Sequence, residues 1–529
     1  MRSTFMGLET ARRGMYTQQS ALQVTGHNVA NANTPGYTRQ RINFEQTSPY
    51  PSPSFNRPQI PGQVGTGVEA GSIQRIRDSF MDVQFRGENN KLGYWETKAN
   101  SLMKMEEIMN EPSDSGLAKT MDMFWQSLQD LAVNPKNSGA RSVVRQRGLA
   151  LAETFNYLSN SLTTIRQDLN NEIQVTEKEV NSLLKQIHNV NQQIGDVEPH
   201  GLLPNDLYDE RDRLIDSLSN LVNINVTYQS SGGNASSIAE GKAVISLVDS
   251  NQSPLANLVT AKGYQEMKVH FTPPGTDPYV TGVSVGERNL DLKEFDSDGK
   301  LKGLIESFGS QDENGKVTGA YPDMLSELDN LAYTFAVEFN KIHSDGMSPN
   351  EINHVNGDGE VEPVNQEIPF FADKGFGALT DDHRAGFASR LDLSDDIKAS
   401  LDNIANADGT NPDAAETGDS SVLLKLADVI NQDFDYGQNS QMASFRNYYE
   451  VLIGGMAVDT QNAVRLTDNS GVLRQAVDDR RMSTSAVSLD EEMTNMIQFQ
   501  HAYNASARMI SLQDELLDKI INGMGTGGR

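Results

Sequence analysis

The sequence predicts a mainly α-helical chain with inserted β-structure, organised as an elongated protein of several domains. Three observations predict this class. Apolar residues recur with heptad spacing at both ends of the chain, and a long helical pattern lies between Asn137 and Pro199. Alternation with a period of two replaces the helical pattern after residue 222. At 529 residues the chain is long enough for about three or four domains.

The first helix is predicted over residues 1–30. Its main apolar column consists of Met1, Leu8, Met15, Leu22 and Val29. A weaker flanking column consists of Phe5, Arg12, Gln19 and Gly26. Heptad spacing in a 4-3 alternation places both columns on one helix face, as in the seam of a coiled coil. The helix is expected to end at Asn31–Tyr37, because Pro35 disfavours a helical Thr34 and Gly36 permits a turn.

The last helix, within residues 486–529, carries the same pattern. Its main column consists of Leu489, Met496, Tyr503, Ile510, Leu517 and Met524. Its flanking column consists of Met493, Gln500, Ala507, Asp514 and Ile521. Either helix alone is compatible with an ordinary amphipathic helix on its own core. The match at both ends predicts instead that the chain folds back and that its terminal helices pair as a coiled coil.

An extended connector is predicted after the first helix, over residues 40–75. Its prolines are Pro49, Pro51, Pro53, Pro58 and Pro61. Such a segment is semi-rigid. Residues 1–80 are therefore assigned to the terminal helix and its connector.

The longest helical signal runs from Val144 to Val197 in a 3-4 alternation of apolar positions, interrupted at Gly148 and Thr176. It would make a rod of roughly 80 Å at 1.5 Å per residue, an architectural element. Another helix follows Pro204, with leucines at 207, 214, 218 and 221. These patterns assign residues 81–224 to the first part of a helical rod domain.

The remaining segments alternate between β-structure and helix. Period-two alternation with intervening Gly and Pro residues predicts an inserted β-domain over residues 225–320. A helix over 321–344 returns to the rod, and a Gly- and Asp-rich second insertion occupies 345–420. Residues 421–485 complete the rod domain, and 486–529 form the C-terminal helix.

Composition excludes several classes of function. The net charge is −28 and the isoelectric point is about 4.6, which disfavours nucleic acid as a partner. The chain has no cysteine, so disulfides and thiolate metal sites are excluded. Because no apolar run has the length of a signal peptide or a membrane span, composition alone predicts a cytoplasmic protein. Export by a route without a cleaved signal is also compatible with it.

No constellation of catalytic residues emerges from the sequence. The eight histidines lack metal-ligand spacing, and Gly65-Thr66-Gly67 lacks the strand, helix and Lys-Ser/Thr pair of a phosphate loop. Carboxylates cluster at Asp490–Glu492 and at residues 206–212, where paired acids could serve a glycosidase. On helices a solvated or capping role is expected instead. We therefore predict no catalytic residue, no cofactor, no metal and no enzyme activity.

Two terminal motifs carry a family resemblance. Residues 20–37 contain the motif Asn31, Asn33, Thr34, Pro35, Gly36 and Tyr37. Leu489–Met493 is followed by Gln500, Tyr503 and Arg508. These stretches resemble the terminal signatures of bacterial flagellar rod, hook and hook-associated proteins.

Three internal stretches narrow the resemblance to the hook-associated protein 1 family, the junction proteins nearest the hook. They are residues 65–80 with Arg75, residues 124–135, and residues 205–219 with Asp209, Arg211 and Asp212. The resemblance fades over about 230–320 and 345–415.

The resemblance implies a structural subunit that forms a ring in the flagellar axis, joins hook to filament and is needed for filament assembly. Its implied partners are further copies of itself, the hook protein, a second hook-associated junction protein and a cytoplasmic export chaperone that binds the C-terminal helix. It implies export to the flagellum without a cleaved signal peptide. Alternatives are a minor rod or hook subunit, or a secreted flagellum-associated hydrolase.

Residues on the terminal helices are expected to serve assembly. They are Phe5, Leu8, Met15, Leu22, Val29, Leu489, Met493, Met496, Tyr503, Ile510, Leu517 and Ile521.

Overall fold

The structure, a computed structural model, describes residues 4–51, 55, 62–109, 116–273, 277–311, 315–355, 360–377, 379–436 and 442–523. The heptad positions Met1 and Met524 and the connector residues Pro53, Pro58 and Pro61 lie outside these ranges. The chain divides into two compact units. Unit 1 comprises Met1–Leu92, Glu179–Met267 and Ser470–Arg529, and unit 2 comprises Gly93–Lys178 and Lys268–Asn469.

Helices dominate the chain. In order they are α1 (Thr4–Ala30), α2 (Ser79–Met109), α3 (Leu117–Val133), α4 (Ser138–Val197), α5 (Asn205–Leu221), α6 (Lys300–Phe308), α7 (Ala320–Asp345), α8 (Pro349–Ile352), α9 (Asp395–Ala399), α10 (Ser421–Asp428), α11 (Phe445–Ser485) and α12 (Leu489–Asp518). A π-helical turn, Lys519–Gly523, extends α12. The mainly helical class predicted from the sequence is confirmed.

The strands are short. They are β1 (Gln40–Gln46), β2 (Val68–Arg75), β3 (Ile224–Gln229), β4 (Lys242–Val248), β5 (Pro254–Val259), β6 (Met267–Phe271), β7 (Val280–Val285), β8 (Arg288–Leu290), β9 (Ser310–Gln311), β10 (Val317–Thr318), β11 (Gly346–Met347), β12 (Phe371–Asp373), β13 (Leu391–Leu393) and β14 (Ala407–Asp408).

Helix α4 follows the predicted apolar stripe. It contains 60 residues, about 90 Å at 1.5 Å per residue. Its stripe is buried from Val144 to Ile194. The interruption at Gly148 has a packing reason, because a Cβ there would lie 2.8 Å from a ring carbon of Phe370. Glycine therefore lets an aromatic cluster approach the helix.

Unit 1 contains α1, α12, α5 and two antiparallel sheets. The connector is a hairpin in which β1 pairs with β2, from Gln40 opposite Arg75 to Gln46 opposite Val68. Strands β3, β4 and β5 form a three-stranded sheet in that order. Alternate residues of β4 (Ala243, Ile245, Leu247) are buried, so one face of this sheet packs on a core.

Unit 2 is organised around an aromatic cluster. Its rings include Phe124, Phe335, Phe339, Phe370 and Phe371, with centroids about 5–6 Å apart. These residues come from α3, α7 and the start of β12, so the second insertion contributes directly to the core. A separate sheet has the order β10-β9-β7-β6, with β8 paired to β7.

The sequence pattern assigned residues 225–320 to one β-domain; the structure has strands of two sheets there, and α6 lies between β8 and β9 of the second sheet. Strands β3–β5 belong to unit 1, and β7–β10 belong to unit 2. The physical reason is that each sheet buries its own apolar face, Ala243–Leu247 in one and Val280–Val285 in the other. No helix in the described part of the chain has the length and apolarity that a membrane crossing requires.

Candidate assembly interface

Helices α1 and α12 pair side by side in opposite directions. Gly7 of α1 lies against Gln513 of α12, and Gly14 lies against Ser506. The two numbers in each pair therefore sum to the same value, as they must in an antiparallel pair. The predicted pairing of the terminal helices is confirmed.

The structure divides the predicted assembly residues into two groups. Leu8, Met15, Leu22, Val29, Met496, Tyr503, Ile510 and Leu517 are partly buried. Phe5, Leu489, Met493 and Ile521 are exposed. Among the described residues, the main columns apart from Leu489 are thus partly buried, whereas the residues of the weaker flanking columns are mostly exposed.

Two glycines of α1, Gly7 and Gly14, lie at the contact between α1 and α12 and were absent from the sequence interpretation. Gly7, Gly14 and Ala21 recur every seventh residue on α1, and Phe499, Ser506 and Gln513 recur in the same way on α12. A Cβ on Gly7 would lie 3.1 Å from the Gln513 Nε2 atom, and one on Gly14 would lie 3.2 Å from Ser506 Oγ. The helix axes can approach closely because Gly7 and Gly14 have no side chains. The heptad spacing was a usable signal, but small residues do not register in a search for apolar columns.

The other packed face of α1 lies on the β1–β2 hairpin. Thr17 donates a hydrogen bond from Oγ1 to the Val68 carbonyl oxygen at 3.2 Å. Asn28, which is buried, donates from Nδ2 to the Gln40 carbonyl oxygen at 2.8 Å and accepts from the Gln40 amide at 3.0 Å. This reciprocal pair fixes the end of α1 to the start of β1.

The family motif Asn31–Tyr37 forms the turn between α1 and the hairpin. Thr34 donates to Asn31 through its backbone amide at 2.9 Å, and Gly36 adopts a φ of 81°, in the left-handed region. The Tyr37 hydroxyl donates to Asn28 Oδ1 at 2.8 Å. Burial raises the pKa of Tyr37, and the carboxylates of Asp206 and Asp209 add to the shift. Tyr37 therefore remains a neutral donor, and the motif is a structural turn.

Arg39, two residues after the motif, connects this turn to the start of α12. Its Nε donates to Glu492 at 2.7 Å, and its Nη1 donates to Glu491 at 2.6 Å. The Glu492 side chain is almost fully buried. Ser488 caps α12 by accepting from the Glu491 amide. The acids at 490–492 were expected to be solvated or capping; Glu491 is exposed and also pairs with Arg39, whereas Glu492 is buried against Arg39.

A buried network of arginines and carboxylates surrounds α5. Asp212, at its centre, lies 2.9 Å from Arg75, 3.4 Å from Arg77 and 3.5 Å from Arg86. Each arginine has a further partner: Asp209 for Arg75, Asp82 for Arg77 and Asp216 for Arg86. The prediction that the acids at 206–212 are solvated or capping was wrong for Asp209 and Asp212, because arginines from α2 and β2 pair with them in the folded unit.

The electrostatics of Asp212 follow from this geometry. Burial alone would raise its pKa, but the guanidinium groups of Arg77 and Arg75 hold the pKa below its usual range. Burial outweighs the attraction of Arg75 at Asp209, whose pKa is raised. The network fastens the turn, the hairpin and α5 to one another. Within the described residues, no group of three or more His, Asp or Glu side chains is arranged to hold a metal ion.

Comparison with known proteins agrees with this arrangement. Residues 102–357 match the helical domain of flagellar hook-associated protein FlgK. Residues 8–38 match the flagella basal body rod protein family, and 479–523 match the C-terminal family of basal body rod FlgEFG proteins.

Full-length relatives are similar to this chain. Flagellar hook-associated protein 1 of Bacillus subtilis (strain 168) is 45% identical over 100% of both chains. The protein of the same name from Salmonella typhimurium is 24% identical, with 97% of this chain and 98% of the relative covered. The solved structure of the flagellar hook junction protein FlgK from Burkholderia pseudomallei superimposes with a TM-score of 0.56 at 14% identity, covering 77% of this chain and 100% of that one, and supports the fold. The chain belongs to the flagellar hook-associated protein 1 family.

Proposed function

We propose that this chain is a structural subunit of the bacterial flagellum that joins hook to filament and is needed for filament assembly. The observation that carries the proposal is the antiparallel pair of terminal helices, which buries one face and leaves apolar side chains along the remaining surface of α12. A monomeric soluble protein seldom exposes so many of them on one helix. A subunit of a tubular assembly does so because its neighbours cover them.

The exposed apolar side chains of α12 extend along most of its length. They are Leu489, Met493, Ile497, Met509, Leu512, Leu516, Ile520 and Ile521. On α1, Phe5 and Tyr16 are also exposed. Burying a side chain of this size contributes about 1.5–3 kcal/mol. Burial of these residues by neighbouring subunits would contribute a large favourable free energy. This free energy offsets the conformational entropy that the chain loses when it becomes ordered on assembly.

The proposed partners are those that the family resemblance implies, and the exposed apolar surface of α12 supports them. Further copies of the chain form a ring in the flagellar axis, the hook protein lies on one side, and a second hook-associated junction protein lies on the other. The half-buried residues Leu8, Met15, Leu22, Val29, Met496, Tyr503, Ile510 and Leu517 support the helix pair. The exposed residues Phe5, Leu489, Met493 and Ile521 face neighbouring subunits.

Before assembly, the apolar surface of α12 has to be shielded from premature association with other chains. We propose that a cytoplasmic export chaperone binds this helix and that the chain is exported to the flagellum without a cleaved signal peptide. Methionine-rich helices suit recognition in an apolar groove. A chain truncated after Ser485 should lose chaperone binding in a pull-down, whereas the full chain should retain it.

A minor rod or hook subunit is the second candidate, because the terminal segments match rod protein families. The long helical segment between them favours the junction protein, since it belongs to the region matching the hook-associated domain. A hydrolase gains no support from Asp209 and Asp212, whose charges are bound by arginines.

Deletion of the gene tests the proposal. A deletion strain should make hooks without filaments and release flagellin to the medium, and a plasmid copy of the chain should restore filaments. Loss of the hook itself would indicate a rod or hook subunit. Normal filaments in the deletion strain would contradict the junction role.

A further inference from the structure

Unit 2 contains a groove along α11. One cavity of 680 Å³ lies between α2, α7 and α11, and a second cavity of 600 Å³ shares Leu102, Asp323 and Asp459 with it. The α11 residues that line the two cavities run from Asn447 to Leu466, which is about 30 Å of helix at 1.5 Å per residue. The groove is therefore long enough to hold a partner helix of about five turns.

The floor of the first cavity is formed by methionine and leucine side chains. Leu102, Met105, Met324 and Met456 line this cavity, and most of the surface of each is buried within unit 2. Methionine side chains are unbranched and flexible, so they adapt to apolar surfaces of different shapes. Grooves lined by methionine are accordingly suited to the apolar face of an amphipathic helix.

Carboxylates surround this apolar floor. Asp323, Glu327, Asp435 and Asp459 line the first cavity, and no described residue that lines it is Lys, Arg or His. In the second cavity Lys98 is present, but it pairs with Glu306 at 3.4 Å. The first cavity thus combines an apolar floor with four carboxylates and no cation. Its charge is complementary to a basic occupant.

The first cavity also contains a buried hydroxyl group that lacks a partner. Tyr436 lines this cavity, is only 3% exposed and stacks on Tyr448 with ring centroids 3.8 Å apart. Its hydroxyl oxygen has no hydrogen-bond partner in the part of the chain that the structure describes. Buried polar groups are normally hydrogen-bonded. A phenolic oxygen accepts from an ammonium or guanidinium group, so a cation in the groove would satisfy Tyr436 as well as the carboxylates.

We infer that this groove of unit 2 binds a basic amphipathic helix of a partner protein. The apolar side chains of that helix pack on the methionine floor, and its Lys or Arg side chains pair with the surrounding carboxylates. A second copy of this chain is a poor occupant, because each copy carries a net charge of −28 and two copies repel each other. The inference is independent of the proposed place of the chain in the flagellum.

Fluorescence anisotropy with the purified full chain tests the inference. The probe is a labelled model helix of about 20 residues, long enough to fill the groove, with leucines on one face and lysines on the other. A second peptide has glutamate at every lysine position. At physiological ionic strength the lysine peptide should bind one per chain, and the glutamate peptide should bind at least tenfold more weakly.

Two adjacent glycines of α11 provide matched variants. Gly455 lines the first cavity and Gly454 lines neither cavity, and no atom lies within 4 Å of the position that a Cβ on either glycine would occupy. Both residues can therefore be replaced without a clash in unit 2. Gly455→Trp should weaken binding of the lysine peptide at least tenfold, whereas Gly454→Trp should change it less than twofold. Circular dichroism should show equal helix content in the two variants.

Either of two results would overturn the inference. Equal affinity of the Gly455→Trp and Gly454→Trp chains would mean that the lysine peptide binds elsewhere on the acidic surface. Equal binding of the lysine and glutamate peptides would mean that the groove does not select a basic occupant. The binding measurement and the position of the chain in the flagellum are separate readouts, so the failure of this inference leaves the proposed function standing, and the reverse also holds.

Discussion

Replacing Asp212 by asparagine should destabilise unit 1 while preserving the shape of the side chain. The carboxylate is almost completely buried and lies within 4 Å of Arg75, Arg77 and Arg86. Removing one partner of a buried ion pair typically costs about 3–5 kcal/mol, because the remaining charge is left in a poorly solvated place. Each arginine keeps another carboxylate, so we expect the lower end, about 3 kcal/mol.

Hydrogen exchange measured by mass spectrometry gives a local readout. A loss of about 3 kcal/mol corresponds to roughly a hundredfold faster exchange through opening, since each 1.36 kcal/mol is a factor of ten. Peptides that cover α5 should show this change in the full chain at neutral pH. Glu210→Gln is the matched control, because Glu210 pairs with Arg213 on the exposed face of the same helix. That exposed pair should be worth less than about 1 kcal/mol.

Equal protection of α5 in the two variants would refute the reasoning. It would mean that the arginines are satisfied by their other partners and that the network does not depend on its central carboxylate. The lowered pKa of Asp212 also fixes the direction in which the stability of the folded chain changes with pH. Its contribution is present above the pKa of the unfolded chain and is lost as the pH falls through the lower folded value.

Three further predictions follow from other contacts. His343 is buried and accepts a hydrogen bond from the Ala405 amide at 3.0 Å, and burial lowers its pKa to about 4. Its contribution to the stability of unit 2, about 3 kcal/mol, should be complete above pH 6.5 and disappear as the pH falls towards 4. In His343→Gln, the free energy of unfolding of unit 2 in urea should lose this pH dependence. Gly14→Leu should separate α1 from α12 at Ser506 and expose α12 to limited proteolysis, whereas Gly14→Ala should have a smaller effect. Leu517→Asp should abolish motility through an unpaired charge beside the helix pair, while Leu517→Met should swim normally.

Elements that depend on local periodicity could be predicted from the sequence. The apolar stripe from Val144 to Val197 is long enough to fix both the type and the approximate ends of α4. The terminal helices were predictable for the same reason, and Pro35 with Gly36 marked the end of α1. In each case residues a few positions apart determine the outcome.

Features that depend on distant pairings could not be predicted. The carboxylates of α5 resemble any solvated acidic helix until Arg75 and Arg86 are brought to them from other elements. The contact between α1 and α12 was predicted, but the part of Gly7 and Gly14, whose missing side chains leave room for Gln513 and Ser506, was not. The division of the β-strands into two sheets also depends on the surfaces against which each sheet packs in the folded chain. Period-two alternation in the sequence does not identify those surfaces.

The most direct test of the proposed role is the position of the chain in the flagellum. Gold-labelled antibody against an epitope tag on the functional chain can be located on isolated hook–basal bodies and intact flagella by electron microscopy. We predict label at one place, the boundary between hook and filament. Label along the rod or along the shaft of the hook would contradict the account.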